Sequence, residues 1–438
     1  MEVEKEEKTI LEENHMSNEA HASPAASESL FRNRFYQTVL ISNIFLQIGI
    51  WVRNFAILMF VTEKTNSDPL AISLISVVEF APIFVFGFIG GAFADRWKPK
   101  RTMIWCDFLS AVSVFAVLIT LMFESWETVY LATFVSAILS QFSQPSVMKM
   151  FKQNIHPDKL QQGMALFQSL MAIFMVLGPS LGIFAYQHFG IYISIGVMGV
   201  AFLISAVVLF RLPPDVEEEK KEKRETKIMQ ELADGFRYVW KSTTLRVLGI
   251  TFAIAGFSVG IIQTLGLFVV TERLGKPKEF LQFLLMVNGV AMLIGGVIVM
   301  IIAKKIAPQI LLAFGMLVSA LCILGIGWST SVPLTLTLQF INGLTMPCIQ
   351  IGINTMILKW TEQSYVGRVN GVLSPLFTGM MVVMMSAAGV LKKLFPLTGI
   401  YTVSAMVLIL GAIILVPIFK HKPKEETLAT APVSPETS

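Results

Sequence analysis

The sequence predicts an all-α integral membrane protein, with twelve transmembrane helices in two six-helix pseudo-repeat bundles. Three observations carry this reading. Apolar runs of spanning length recur along the chain, basic residues gather on one side of them, and one long polar stretch interrupts them at the midpoint. Of the 438 residues, 54% are hydrophobic and 15% charged, and the mean hydropathy is +0.67. Soluble domains carry about 25% charge. A chain this apolar cannot hide its side chains in water-soluble cores, which excludes most soluble enzymes and nucleic-acid binders.

A hydrocarbon core about 30 Å thick needs roughly 20 residues of helix. Runs of that length lie near 37–61, 71–94, 102–123, 128–150, 163–186, 190–211, 245–270, 280–303, 309–328, 332–357, 369–391 and 398–420. The first 34 residues carry eight glutamates and no apolar stretch. They read as a disordered cytoplasmic tail, 1–34, and not as a signal peptide. The bundles follow at 35–211 and 245–420, and 421–438 reads as a second disordered tail. Between the bundles, 212–244 opens with Pro213-Pro214 and a charge run from Asp215 to Glu225, a solvated linker. Ile228, Leu232, Phe236, Val239 and Trp240 then recur at helical spacing. That helix either lies along the inner membrane surface or packs on protein.

With the N-terminus inside, the inner segments hold 27 Lys and Arg and the outer loops 6, with Arg53 inside a span. This asymmetry supports the orientation and an even number of spans. The halves are weakly alike. Gln144-Pro145 followed by Gly163 in the first corresponds to Met346-Pro347 followed by Gly367 in the second. Two such halves suit a transporter with its site at their interface.

Charge inside the hydrocarbon is the main functional signal, because each such group costs at least about 2.5 kcal/mol unless paired or wetted. Arg53 in span one and Glu79 in span two lie at comparable depth. Either they form a charged pair lining a central cavity, with Glu79 able to take up a proton, or they form a fixed salt bridge with Arg53 snorkelling outward. Asp107, near the inner end of span three, reads as structural. The second half has only neutral polar groups in its spans, among them Gln263, Asn288, Gln339 and Asn342. With Gln141 and Gln144 of span four, these are the candidate substrate contacts; such groups also bridge helices. A coupling ion should therefore be handled in the first half.

Enzyme signals dissolve. Gly256-Phe-Ser258-Val-Gly260 matches a nucleophile elbow, but it lies in an apolar helix, and the five histidines fall in tails or loops. Gly256 and Gly260 read as a helix-packing face. No phosphate-binding loop or metal-ligand cluster is visible, Cys106, Cys322 and Cys348 sit in apolar runs, and no cofactor is expected.

The loop 91–101 is more specific. Gly91, Asp95, Arg96, Lys98, Lys100 and Arg101 place five charges in seven residues between two spans. An acid followed by spaced bases can form ion pairs and cap a neighbouring helix N-terminus. This loop resembles that of the major facilitator superfamily, whose pattern is G-x-x-x-D-R-x-G-R-[RK]. Gly91, Asp95, Arg96 and Lys100 match, while Lys98 and Pro99 depart from it. The resemblance implies that Asp95 meets the start of span eleven, around Gly367 to Asn370, in an outward-open state, making Gly91, Asp95, Arg96, Lys100 and Arg101, with Asp107, a conformational gate. In span five, Gly178-Pro179-Ser-Leu-Gly182 is similar to the G-P-x-x-G core of the drug/proton antiporter motif, either a rocking hinge or a plain packing kink. The arginine that many proton-coupled exporters carry in span four is absent. Asp95-Arg96, Asp107 and the loop from Asn154 to Gln161 resemble the bacterial macrolide-efflux and enterobactin-exporter branch. The resemblance implies a drug-resistance type of transporter: a monomeric proton-coupled exporter of a lipophilic small molecule in the bacterial cytoplasmic membrane, both termini inside, touching membrane lipid but no nucleic acid. A lysolipid flippase, a metabolite importer or a non-transporting sensor remain alternatives.

Overall fold

The computed structural model describes residues 33–94, 97–215, 228–303 and 305–420. Asp95, Arg96, the linker residues 216–227 and the tails 1–32 and 421–438 lie outside them. All regular structure among the described residues is helical. The first half contains α1 (Arg34–Lys64), α2 (Pro69–Ala94), α3 (Pro99–Met122) and α4 (Val129–Asn154), then one continuous run, Pro157–Leu209. Within that run Gly190 takes φ 69° and ψ −176°, a conformation open to glycine alone. It divides the run into α5 (157–189) and α6 (191–209).

Contacts with α1 show that the chain reverses there. Along α5, Tyr36 donates its hydroxyl to the Gly163 carbonyl at 3.1 Å, Gln47 donates to the Met171 sulfur, and Tyr186 donates to Glu63 at 2.5 Å. Along α6 the order inverts, with Phe202 against Gly49 and Ser205 3.1 Å from Ser42. So α5 runs parallel to α1 and α6 antiparallel, joined by one residue.

The second half contains α7 (Ile228–Lys241), α8 (Thr243–Phe268), α9 (Leu281–Ile302), α10 (Pro308–Trp328), α11 (Val332–Trp360), α12 (Val366–Leu394) and α13 (Leu397–Ile414). Ten helices are long and apolar enough to cross a bilayer, against the twelve expected spans. The difference has two local causes. The α5–α6 hairpin counts as one run. The other is α4, which is 26 residues long but carries Ser136, Ser140, Gln141, Ser143, Gln144 and Ser146 in its middle.

The halves meet along two seams, α2 against α12 and α5 against α9. These are spans two and eleven, and five and eight, so exchanging the halves turns one seam into the other. Pro145 in α4 and Pro347 in α11 likewise occupy matching places. Ile119, Val207, Ile301 and Leu410 are each more than half exposed on the outward faces, an apolar surface that only lipid can cover. α7 docks on the protein: Val239 is buried, and Tyr238 stacks on Tyr365 with centroids 4.4 Å apart. Phe236 and Trp240, stacked on each other, remain exposed. Gly256 and Gly260 lie against the Phe377 and Met381 backbone of α12, the packing face expected of them.

Candidate functional site

Helical geometry builds the site from one stripe of α1. Gln47, Ile50, Trp51, Asn54, Phe55 and Leu58 follow i, i+3, i+4 spacing and line a cavity of 400 Å³ between the halves. Ser76, Glu79 and Phe80 of α2 complete the first half's wall. The opposite wall comes from the second half: Gln263 and Thr264 of α8, Asn288 of α9, Gln339 and Asn342 of α11 and Tyr401 of α13. Among the described lining residues, Glu79 is the one carboxyl and no base is present.

Arg53 departs from expectation. It is off the stripe by one residue, hence rotated about 100° from Asn54; it is 4% exposed and does not line the cavity. Nor does it bond Glu79 directly. Its Nε donates to Asn54 Oδ1 at 2.9 Å, and Asn54 Nδ2 donates to Glu79 Oε1 at 2.6 Å. The amide thus relays between guanidinium and carboxylate. A search for charges overlooks Asn54; the i, i+3, i+4 stripe was the signal that could have found it.

Gln263, Asn288, Gln339 and Asn342 all reach the cavity, as read from the sequence. Asn288 donates to the Gln339 carbonyl at 3.3 Å, while the buried Asn342 Oδ1 has no protein donor. Gln141 and Gln144 do not line it. Gln141 bonds Ser140 at 3.2 Å and sits against Gly87, two turns along α2 from Glu79 and therefore about 12 Å away from the cavity's level. Gln144 is exposed.

Gly178 and Gly182 let α5 close on α1 directly behind the cavity wall. A Cβ at 182 would lie 2.5 Å from the Trp51 carbonyl oxygen and 2.6 Å from Phe55 Cβ, and one at 178 would enter the Trp51 ring. Pro179 removes a backbone bond at the same place.

The candidate gate is dispersed. Asp95 and Arg96 lie outside the described residues, and Gly91 is in the last turn of α2. Lys100 turns to the exit of α6: its backbone N–H donates to Asp215 at 2.8 Å, and its ammonium binds the Phe210 carbonyl at 3.0 Å and that of Leu212. Arg101 faces a groove between α3 and α4. Asp107, 3% exposed, accepts from Ser205 at 2.6 Å, and Ser205 meets Ser42. This chain ties α3, α6 and α1 together, away from the cavity.

The end of the bundle remote from both termini carries ion pairs that the sequence reading did not anticipate. Glu63, past the end of the α1 stripe, pairs with Lys278 of the second half, which also lies over the Tyr186 ring. Asp68, between α1 and α2, pairs with Lys393 of α12 at 2.7 Å. Lys392 pairs with Glu272 at 2.9 Å within the second half. The bond from Lys393 holds the Asp68 carboxyl below the usual range, against a smaller upward push from burial. Partners of these pairs are remote in sequence, so only folding reveals them.

Two helical halves that share one polar-lined cavity, latched at one end, define a multi-pass membrane transporter. Residues 39–314 and again 247–436 match the Major Facilitator Superfamily, and the chain belongs to that superfamily. The uncharacterized MFS-type transporter YkuC of Bacillus subtilis is 26% identical over 84% of this chain and 87% of its own length. The multidrug efflux pump Tap of Mycolicibacterium fortuitum is 24% identical over 84% and 91%. Macrolide efflux protein A of Streptococcus pyogenes is 27% identical over 36% and 40%. In fold the chain is similar to the nucleoside transporter NupG, with TM-score 0.70 and 12% identity over 89% of this chain and 99% of that one. The superfamily and the efflux-type relatives agree with the resemblance read from the sequence. The protein is a secondary transporter of this type.

Proposed function

We propose that the protein is a proton-coupled exporter of lipophilic or amphipathic small molecules, crossing the bacterial cytoplasmic membrane twelve times with both termini inside. Residues 35–211 and 245–420 rock about the shared cavity, with 212–244 as the connector. The observation that carries the reading is the position of Glu79: one carboxyl in an otherwise neutral cavity, tethered through Asn54 to a buried arginine. The efflux-type relatives support the outward direction.

On this reading the latched end is external and the structure is closed outward. Ionised Glu79 accepts the Asn54 amide, and the apolar wall formed by Trp51, Phe55 and Phe80 receives the lipophilic part of the substrate. Asn342 Oδ1, lacking a protein donor, accepts a hydrogen bond from the substrate, and Gln263 and Asn288 offer further polar contacts. When the cavity opens outward, a proton from outside neutralises Glu79, weakening its hold on Asn54 and on a cationic or polar substrate; the substrate leaves and the proton is carried inward. The two occupants compete for one carboxyl, which couples their fluxes.

The test is uptake of labelled macrolides and lipophilic cations by inverted vesicles, with and without an imposed proton gradient. Gradient-dependent accumulation that Glu79→Gln abolishes is expected. Accumulation by Glu79→Gln at the normal rate with unchanged pH dependence removes Glu79 from coupling, and loss of substrate from the vesicles reverses the direction.

A further inference from the structure

A second hollow, outside the transport cavity, opens between α3 and α4 on the lipid-facing side. It has a volume of 530 Å³ and is lined by Trp97, Arg101, Trp105 and Leu109 along one stripe and by Leu139 and Phe142 of α4. Trp97 stacks on Phe142 with centroids 5.7 Å apart and planes 25° apart, forming a roof across the two helices. Trp105 is 59% exposed and Leu109 43%.

We propose that this groove is a binding site for one anionic phospholipid of the leaflet at the termini end. The argument is charge and depth together. The segment 95–101 carries one acid and four bases. Of these, Lys100 is turned to the end of α6, whereas Lys98 and Arg101 face the groove, which has no acidic lining residue. Arg101 offers a planar set of donors suited to a phosphate. From Lys98 to Leu109 the wall descends about 16 Å, close to half of a hydrocarbon core about 30 Å thick. A headgroup at Arg101 therefore leaves one acyl chain running over Trp105, Leu109 and Leu139 to mid-bilayer. Tryptophans at the headgroup level are the usual anchors of that boundary. A lipid held here would stiffen the α3–α4 pair independently of what the cavity carries.

Native mass spectrometry of the full chain, purified from mixed phosphatidylglycerol and phosphatidylcholine, tests this. The wild type is expected to retain phosphatidylglycerol in preference. Arg101→Gln with Lys98→Gln should lower that retention by about fivefold per charge removed, whereas Arg101→Lys retains most of it and Lys241→Gln, on α7, leaves it unchanged. Equal retention of both lipids by the wild type, full retention by the double variant, or an equal loss in Lys241→Gln overturns the proposal. Should the double variant not fold, tryptophan quenching in vesicles decides: brominated phosphatidylglycerol should quench the wild type more than brominated phosphatidylcholine, and Trp105→Phe should remove the excess. Equal quenching by the two lipids overturns the site.

Discussion

The two halves divide the cavity unequally. The first brings a carboxyl, an amide and an arginine linked in series, Glu79, Asn54 and Arg53. The second brings neutral amides and hydroxyls, with one buried oxygen, Asn342 Oδ1, lacking a donor. Yet the two seams between the halves are related by exchange of the halves. A common architecture has thus been specialised: one side for an ion, the other for hydrogen bonding to whatever fills the space.

The sharpest way to break this comparison is to move the charge. Glu79→Gln should lower gradient-driven transport by about a hundredfold or more, since no other carboxyl lines the cavity to take its place. Measured in inverted vesicles, gradient-free exchange of substrate should survive. Next in size is Asn54→Leu, which leaves a buried carboxylate without its donor and a guanidinium without its acceptor. A loss of about 2 kcal/mol is expected, read as a lowered unfolding midpoint in detergent together with slowed transport. A stability equal to wild type would mean that the relay contributes nothing. On the neutral side, Asn342→Leu should raise the apparent KM several-fold, about 1 kcal/mol, while the dependence on the gradient stays intact. A coupling defect there would erase the division of labour.

The smallest effect belongs to the latch. Lys393→Gln should favour opening of the far end by no more than about 1 kcal/mol, because the pair is partly exposed. Its pH dependence has a definite sign. Asp68 is held below the ordinary carboxylate value of about 4, so its contribution is complete above that value and fades as pH falls through the lowered one. Spin-label distances across the far end should therefore not change with pH between about 5 and 8 on account of this pair.

Most of the helices were legible because hydropathy alone produces them. Gly190 was only partly so: the sequence marked a short connector around 186–190, and the reversal on one glycine came from its backbone angles. Glu79 was legible because a charge in an apolar run stands out, whereas Asn54 was not, since a neutral amide between apolar neighbours resembles any helix-bridging group. Arg53 was drawn into the cavity because depth along a helix can be read from sequence more readily than rotation about it. Gln141 and Gln144 failed for the complementary reason: their rotation was plausible, but the cavity's level depends on packing between the halves. The far-end pairs needed partners more than two hundred residues apart, such as Glu63 and Lys278.

The one-residue turn at Gly190 also bears on how the chain is made. With no polar loop between α5 and α6, nothing hydrophilic has to be drawn through the bilayer between them, and the first arm has no anchor of its own on the far side. The hairpin must enter lipid as a unit during synthesis, its two arms already side by side, and a bulky replacement at that glycine would be felt at biogenesis before it was felt in transport.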